Sequence, residues 1–287
     1  MKPRSKPVLT FFIALALVIC LGVYLRGVFA NDSNSGHITI GKNYLVRGSY
    51  DRAIREFSRA LKINPKDPTA YVDRGTAYNQ QEKYAEAISD FSSAISLKPD
   101  SYLAFNNRGV SYFRQGNLDK AIQDFSKAIS MNPDDPYARL NFAGAALAAG
   151  KGRAAADKLT TLIQNSRWKG RFAGQSAVLA ILAYNQVGQS KEANELLGTS
   201  LKKVSRLDWP YGALQYLQGK ISPDELLESV KNSDYDTTQA HCFIALNLVN
   251  KNKPKLARGH LNWVTKYGTP ESLEYWLAKN ISAQTGK

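Results

Sequence analysis

The chain repeats the same residue types at a fixed interval of 34 positions. Small residues, aromatic residues and prolines each recur at identical places in three consecutive windows of the sequence. The recurring sets are Gly41, Gly75 and Gly109; Tyr44, Tyr78 and Tyr112; Ala53, Ala87 and Ala121; Phe57, Phe91 and Phe125; Ala60, Ala94 and Ala128; and Pro65, Pro99 and Pro133. A period of this length indicates an architecture built from one repeated supersecondary unit.

Each window predicts two helices, for example residues 69–81 and 84–97. The glycine of the first helix and the first alanine of the second lack bulk, so the two backbones can approach closely. The tyrosine and the phenylalanine then fill the space beside the crossing. Proline ends each second helix because it cannot donate the helical hydrogen bond. A single helical pair cannot bury its apolar stripe alone, so neighbouring pairs must stack.

Over residues 34–135 these positions resemble the tetratricopeptide repeat family. The resemblance implies an all-α fold, a right-handed superhelix of helical hairpins whose first helices line a concave face. A fourth window, 136–169, keeps Ala143, Gly150 and Ala155, but Leu159 replaces the aromatic residue. We therefore expect residues 37–169 to form four repeats.

Residues 170–287 predict a degenerate repeat region, which brings the total to five or six hairpins. The expected helices are 173–187, 191–204, 213–218, 224–231, 238–250 and 254–267, followed by a closing helix over 271–281. Ser222, Pro223 and Glu225 form a capping-box pattern that starts the fourth of these. Leu273, Trp276, Leu277 and Ile281 make the closing helix amphipathic, as a terminal cap requires.

The same half resembles the NlpI-type envelope lipoproteins, with a match that extends over about residues 40–281. The matching residues are Trp209, Tyr216, Leu217, Gly219, Ile221, Ser222, Leu226 and the run 274–277. This resemblance implies an adaptor that holds proteases and cell-wall hydrolases together in a bacterial envelope. The lipobox of those proteins is missing, because the bulky Ile19 precedes Cys20.

The first thirty residues read as an export signal. Three cations in residues 1–6 precede an uncharged apolar run over residues 8–25, and a polar linker follows at 31–36. The run is long for a cleaved peptide and short for a membrane span of about 20 residues. Cleavage after Ala30 and retention as a membrane anchor both stay open. Residues 31–287 are expected outside the cytoplasm, in the periplasm or anchored to the inner membrane.

The resemblance to tetratricopeptide repeats also indicates which side chains face the groove. One position of the first helices forms a polar row that could pair with the backbone of an extended peptide: Thr39, Asp73, Asn107 and Asn141. A second position adds Asn79 and Phe113, and the next adds Arg114, a cation for an acidic or carboxylate group. Proteins are therefore the expected partners, as extended segments or folded domains, and homodimerisation through helix faces is possible.

Composition excludes several classes of function. The net charge is +14, but it is uneven: +4 in residues 1–30, +2 in 31–150 and +8 in 151–287. This disfavours a nucleic-acid-binding protein with a uniformly basic surface. Only Cys242 lies outside the N-terminal apolar run, which rules out a disulfide scaffold. No phosphate loop, nucleophile elbow or metal-ligand cluster is present in the sequence, so we expect neither enzyme activity nor a metal or cofactor.

Two functions compete at this point. The first is an adaptor of the cell envelope that binds other proteins through the groove. The second is an assembly scaffold for pili or for exopolysaccharide export.

Overall fold

A computed structural model describes residues 34–169 and 172–285. This part of the chain contains fifteen α-helices and no strand. The helices form two compact units, which divide between Asp100 and Ser101. The predicted export signal over residues 1–30 and residues 31–33 of the predicted linker lie outside the described residues, whereas residues 34–36 of that linker are helical. Among the helices that are described, none is both long enough and apolar enough to cross a bilayer.

Unit 1 consists of two helical hairpins, as the repeat predicts. Its helices are α1 (34–46), α2 (Tyr50–Ile63), α3 (Pro68–Gln80) and α4 (Tyr84–Leu97). Helices α2 and α4 end two residues before Pro65 and Pro99, in agreement with the predicted role of the prolines. Asp67 begins α3, because its carboxylate accepts hydrogen bonds from the amides of Thr69 and Ala70.

Unit 2 contains the remaining eleven described helices. They are α5 (Tyr102–Arg114), α6 (Leu118–Met131), α7 (Pro136–Ala148), α8 (Gly152–Ser166), α9 (Phe172–Gln186), α10 (Ser190–Lys203), α11 (Pro210–Gln218), α12 (Pro223–Val230), α13 (Asp234–Asn250), α14 (Pro254–Tyr267) and α15 (Leu273–Thr285). The capping box at Ser222 and Glu225 is confirmed. The predicted start of a helix at residue 238 was wrong, because Ser233 caps α13 and the helix begins four residues earlier, at Asp234.

The repeated glycines lie where a side chain would collide with the repeated phenylalanines. A Cβ added to Gly41, Gly75 or Gly109 would be 2.6, 2.9 or 2.8 Å from the ring of the phenylalanine sixteen residues later. Those rings are Phe57, Phe91 and Phe125, and all three are fully buried. The small residues therefore allow close helix crossing within each hairpin, and the predicted reason for the period is confirmed.

This packing makes Gly109→Ala an informative change. Alanine is the better helix former by about 1 kcal/mol, but its methyl group would press on a Phe125 ring that has no room to move. We expect a net loss of about 1–3 kcal/mol in the free energy of unfolding. Gly198→Ala is the matched control, since Gly198 lies inside α10 with nothing within 4 Å of an added Cβ. The control should be neutral or stabilising in urea denaturation, and equal effects of the two changes would contradict the packing argument.

Arginine–aspartate pairs join the two helices of the second and third hairpins. Arg74 donates from Nε and Nη2 to Asp90 at 2.8 and 2.7 Å, and Arg108 donates from the same atoms to Asp124 at 2.7 and 2.9 Å. The carboxylate side chains are each only 7% exposed. Hydrogen bonding to the aspartates raises the pKa of both arginines, although burial opposes this. Both arginines therefore have a structural role, because each holds the two helices of its hairpin together.

A histidine pair joins α13 to α14. The Nδ1 atoms of His241 and His260 are 2.9 Å apart, and the His241 ring stacks on Trp263 with a centroid distance of 4.0 Å. Such a short contact requires at least one neutral ring, because two imidazolium groups would repel each other. Burial, helped by the nearby His260, lowers the pKa of His241 to about 4. Burial also lowers the pKa of His260, although Asp224 opposes the shift.

The histidine pair predicts a loss of stability in acid. In the unfolded chain His241 binds a proton below about pH 6.5, whereas the folded chain resists protonation down to about pH 4. The stabilisation is complete above pH 6.5 and is lost as the pH falls through this window. His241→Phe keeps the ring stack and removes the titration. Between pH 7 and pH 4 the melting temperature of the variant should fall by less than that of the parent. An equal fall in both proteins would rule out this role for His241.

Candidate functional site

The predicted groove residues of unit 1 form a small polar cluster. Asp73 on α3 lies 3.4 Å from Lys42 on α1, measured between carboxylate oxygen and Nζ. Burial raises the pKa of Asp73, and Lys42 acts in the opposite direction. Thr39 is exposed, and its hydroxyl donates to the carbonyl oxygen of Ser35 at 2.9 Å. This face can therefore offer a paired carboxylate and a hydroxyl to a partner.

One predicted groove residue of unit 1 is almost fully buried. Asn79 is only 7% exposed. It lies in the last turn of α3, where the chain reverses and the Glu82 amide donates to the Asn79 carbonyl oxygen at 3.1 Å. The Asn79 side chain is therefore almost fully buried and offers little surface to a partner.

The asparagines of unit 2 are joined by a residue that the pattern did not single out. Asn106 accepts from Asn141 Nδ2 at 3.2 Å and donates to Asn107 Oδ1 at 3.3 Å. Helices α5 and α7 are thus linked by three amides in a row. In the described part of the chain, Asn107 Nδ2 and Asn141 Oδ1 have no hydrogen-bond partner. They supply one donor and one acceptor, which is what the backbone of an extended peptide requires.

The C-terminal helix α15 lies against the first helices of unit 2. Asn280 donates to the carbonyl oxygen of Phe113 on α5 at 3.1 Å, and a Cβ added to Gly144 on α7 would be 2.6 Å from Leu273. Trp276, Leu277, Ala278 and Ile281 are buried. The predicted closing helix is therefore present, but it covers the side of the repeats that was expected to form an open groove.

A series of buried hydrogen bonds holds α15 in this position. Glu274 is fully buried, and its Oε1 accepts from Gln175 Nε2 on α9 at 2.6 Å and from Gln239 Nε2 on α13 at 3.1 Å. Gln239 in turn accepts from Trp209 Nε1 at 2.6 Å. Burial raises the pKa of Glu274, and the two glutamine amides partly offset the shift. The amides are thus the main compensation for a carboxyl group that is held away from water.

The part of this face that α15 leaves open is a cavity of about 160 Å³, which we call the inner-face pocket. Arg114 and Asn141 supply its polar side chains from the predicted set, and Phe113, although 3% exposed, forms part of its wall. The Arg114 guanidinium lies 5.1 Å from the Trp276 ring centre. The other aromatic lining residues are Tyr137, Phe172 and Tyr235. The pocket therefore combines an aromatic wall, the cation of Arg114, the amides of Asn141 and Gln175, and the exposed carboxylate of Glu271.

Sequence reasoning found Phe113, Arg114 and Asn141 but missed most of the aromatic wall. Tyr137 and Phe172 meet edge to face with centroids 5.1 Å apart, and Tyr137 and Tyr235 remain 51% and 46% exposed. They belong to helices far apart in the sequence, so only packing brings them together. One sequence feature could have indicated that the closing helix packs against other helices. Glu274 is an acidic residue on the otherwise apolar face of that helix, so it needs polar partners on its neighbours. Within the described residues, no three His, Cys, Asp or Glu side chains are grouped closely enough to hold a metal ion.

Comparisons with known proteins agree with this architecture. Models of the tetratricopeptide repeat match residues 38–104 and residues 102–135. No curated protein is significantly similar to the chain in sequence.

Several solved structures share the fold. A tetratricopeptide repeat protein from Parabacteroides merdae ATCC 43184 is 17% identical and has a TM-score of 0.60, with 87% of this chain and 99% of that chain covered. The MamA protein is 19% identical, with a TM-score of 0.54 and coverage of 67% and 98%. YrrB, a repeat protein with an unusual peptide-binding site, is 18% identical, with a TM-score of 0.53 and coverage of 64% and 91%. The periodic glycine and phenylalanine packing, the hairpins and the family models together identify residues 38–135 as tetratricopeptide repeats, and the solved structures share the fold of the chain.

Proposed function

We propose that this protein is a non-enzymatic adaptor that binds segments of other proteins at the inner-face pocket. The observation that carries the proposal is the pair of half-exposed tyrosines, Tyr137 and Tyr235, beside Asn141 and Arg114. Exposed aromatic residues next to a cation and an amide are typical of protein recognition, because they supply contact area at low entropic cost. Tetratricopeptide repeats in general mediate contacts between proteins, which supports this assignment.

The size and chemistry of the inner-face pocket limit the kind of ligand that can bind there. A volume of about 160 Å³ admits roughly one apolar or aromatic side chain of a partner. The donor on Asn107 and the acceptor on Asn141 can then bind the neighbouring peptide group, and Arg114 favours an acidic residue close by. The expected ligand is therefore an extended segment with one large apolar residue and an adjacent carboxylate.

Substitution of the two exposed tyrosines tests this proposal. Peptides selected from a random displayed library on the purified chain should bind Tyr137→Ala/Tyr235→Ala at least tenfold more weakly, because the aromatic wall is removed. The melting temperature should change little, since both side chains are about half exposed. Tyr267→Ala is the matched control, because Tyr267 is 60% exposed on α14 and does not line the pocket. Equal affinity of the parent and the double variant would refute the assignment of the site.

We further propose that the adaptor works in a bacterial envelope, as the NlpI-type resemblance implies. The apolar run at residues 8–25 supports export, with either a retained anchor or cleavage near Ala30. An alkaline phosphatase fusion after residue 40 should be active if the chain is exported, and an inactive fusion would overturn this placement. Homodimerisation stays a prediction, which sedimentation velocity of the purified chain would measure.

The scaffold for pili or exopolysaccharide export is the alternative function. Both roles use the same fold, so co-purified proteins must distinguish them. Proteases or cell-wall hydrolases crosslinked to the chain in envelope extracts would support the adaptor. Secretin or polysaccharide-synthase components would support the scaffold instead.

A further inference from the structure

A local exchange of residues distinguishes the fourth repeat from the second and third. In α3 and α5 an aromatic residue precedes an arginine by three positions, as Tyr71–Arg74 and Phe105–Arg108. In α7 the order is reversed, with Arg139 at the aromatic position and Phe142 at the arginine position. The two residues are one helical turn apart, so the exchange moves the guanidinium to the other end of the helical turn.

The partner helix changes in concert with this exchange. The positions of Asp90 and Asp124 are occupied in α8 by Lys158. Its Nζ lies 5.7 Å from the centre of the Phe142 ring, so a cation–aromatic contact replaces the ion pair of the earlier repeats. The fourth hairpin therefore keeps a contact at this point, but Arg139 has lost the carboxylate that its counterparts have.

Arg139 is a buried cation without an anionic partner. Its side chain is 6% exposed, and Nε and Nη2 donate to the Pro133 carbonyl oxygen at 3.0 and 2.8 Å. Within the described residues no carboxylate lies within ion-pair distance, and Nη1 makes no hydrogen bond. The carbonyl oxygen occupies the Nε–Nη2 edge of the guanidinium, the edge that Arg74 and Arg108 use for their aspartates. The Nη1–Nη2 edge remains, and it too can bind a carboxylate with two hydrogen bonds. A charge buried in this way is costly unless a counter-ion is bound.

The surroundings of Arg139 form a cavity of about 320 Å³ between α7, α8 and α9, which we call the Arg139 pocket. Lys169 adds a second, exposed cation at its rim, and the exposed Asp134 opposes it there. Asn165 and Ser166 supply further polar side chains. The remaining lining is apolar and consists of Pro133, Pro136, Leu162, Phe172 and Ala173.

We propose that the Arg139 pocket binds a carboxylate that is joined to a compact apolar group. The carboxylate pairs with the free edge of the Arg139 guanidinium, and the apolar group packs against the proline, leucine and phenylalanine walls. A fully hydrated anion such as inorganic phosphate does not match these walls. The ligand is either a free organic acid or the C-terminal residue of a peptide, which share this chemistry.

This site is separate from the inner-face pocket. Phe172 lines both cavities, but no other residue does. The proposal therefore does not depend on peptide binding at Tyr137 and Tyr235, and each site can be tested with the other intact.

Four small probes test the proposal on the full chain. By calorimetric titration at low ionic strength, 3-phenylpropanoate and N-acetyl-phenylalanine should bind, whereas N-acetyl-phenylalaninamide and inorganic phosphate should bind at least tenfold more weakly. Tighter binding of N-acetyl-phenylalanine than of 3-phenylpropanoate would identify the peptide terminus as the source, and the reverse order would identify a free acid. Failure of both carboxylates to bind at millimolar concentration would overturn the proposal.

Substitutions test whether the carboxylate binds at the Arg139 pocket. Arg139→Met should weaken carboxylate binding about tenfold or more, because two charge-assisted hydrogen bonds are lost. If that variant does not fold, Lys169→Glu still tests the site, since it changes only an exposed side chain and should also weaken binding severalfold. Arg153→Glu makes the same charge change on the exposed surface of α8 and should leave the affinity unchanged. Affinity that is equal in Lys169→Glu and in Arg153→Glu would refute the site.

Discussion

Trp276→Ala is expected to lower the free energy of unfolding of unit 2 by about 3–5 kcal/mol. The indole is 5% exposed, its Nε1 donates to the Pro270 carbonyl oxygen at 2.8 Å, and its ring lies beneath the Arg114 guanidinium. Removal of the ring leaves a cavity between α15 and α5, and it also removes one wall of the inner-face pocket. The change should therefore weaken both the attachment of α15 and the binding of selected peptides.

Urea denaturation measures this loss. All four tryptophans lie beyond residue 100, at positions 168, 209, 263 and 276, so fluorescence from the remaining three reports unit 2. Gln284→Ala is the matched control, because it truncates an exposed side chain of the same helix. A loss below about 1 kcal/mol for Trp276→Ala would mean that α15 contributes little to unit 2.

Arg108→Met should cost about 3–5 kcal/mol of stability. Arg108 binds Asp124 through two atoms, and the aspartate side chain is 7% exposed. Loss of the arginine leaves a carboxylate buried without its cation, and the energetic cost of that charge exceeds the value of the pair itself. The methionine keeps most of the volume, so the effect reports charge and hydrogen bonding more than packing.

A double variant separates the pair from its surroundings. Arg108→Met/Asp124→Leu should recover most of the lost stability, since both buried charges are removed together. The fourth repeat supports this expectation, because Phe142 and Lys158 occupy the corresponding positions and still contact each other. Arg153→Ala breaks the exposed Arg153–Asp157 pair and should cost no more than about 1 kcal/mol. A double variant as unstable as Arg108→Met would contradict this account.

The repeats could be predicted because their information is local and periodic. Gly109 and Phe125 are sixteen residues apart, and the same spacing occurs at Gly41 and Gly75. Contacts of this kind form within one hairpin, so three copies of the pattern predict helices, turns and crossings together. The predicted bounds of 84–97 and 254–267 agree with α4 and α14.

The candidate site could be predicted only in part. The period placed Asn107 and Asn141 on adjacent first helices, and the structure joins them through Asn106. The period could not show that Asn79 is buried or that Tyr137 and Tyr235 line one pocket. Those outcomes depend on packing between helices, some of which are far apart along the chain.

The amino-acid sequence alone determined the repeat, its helical hairpins and the small residues at their crossings, since each depends on neighbours within one 34-residue window. Only the tertiary structure decided where α15 lies and which pockets remain open. The contacts that hold α15 join Glu274 to Gln175 and Asn280 to Phe113, across 99 and 167 residues. No local pattern encodes such pairs, because they form only when stacked repeats present a surface that the amphipathic helix can bury itself against.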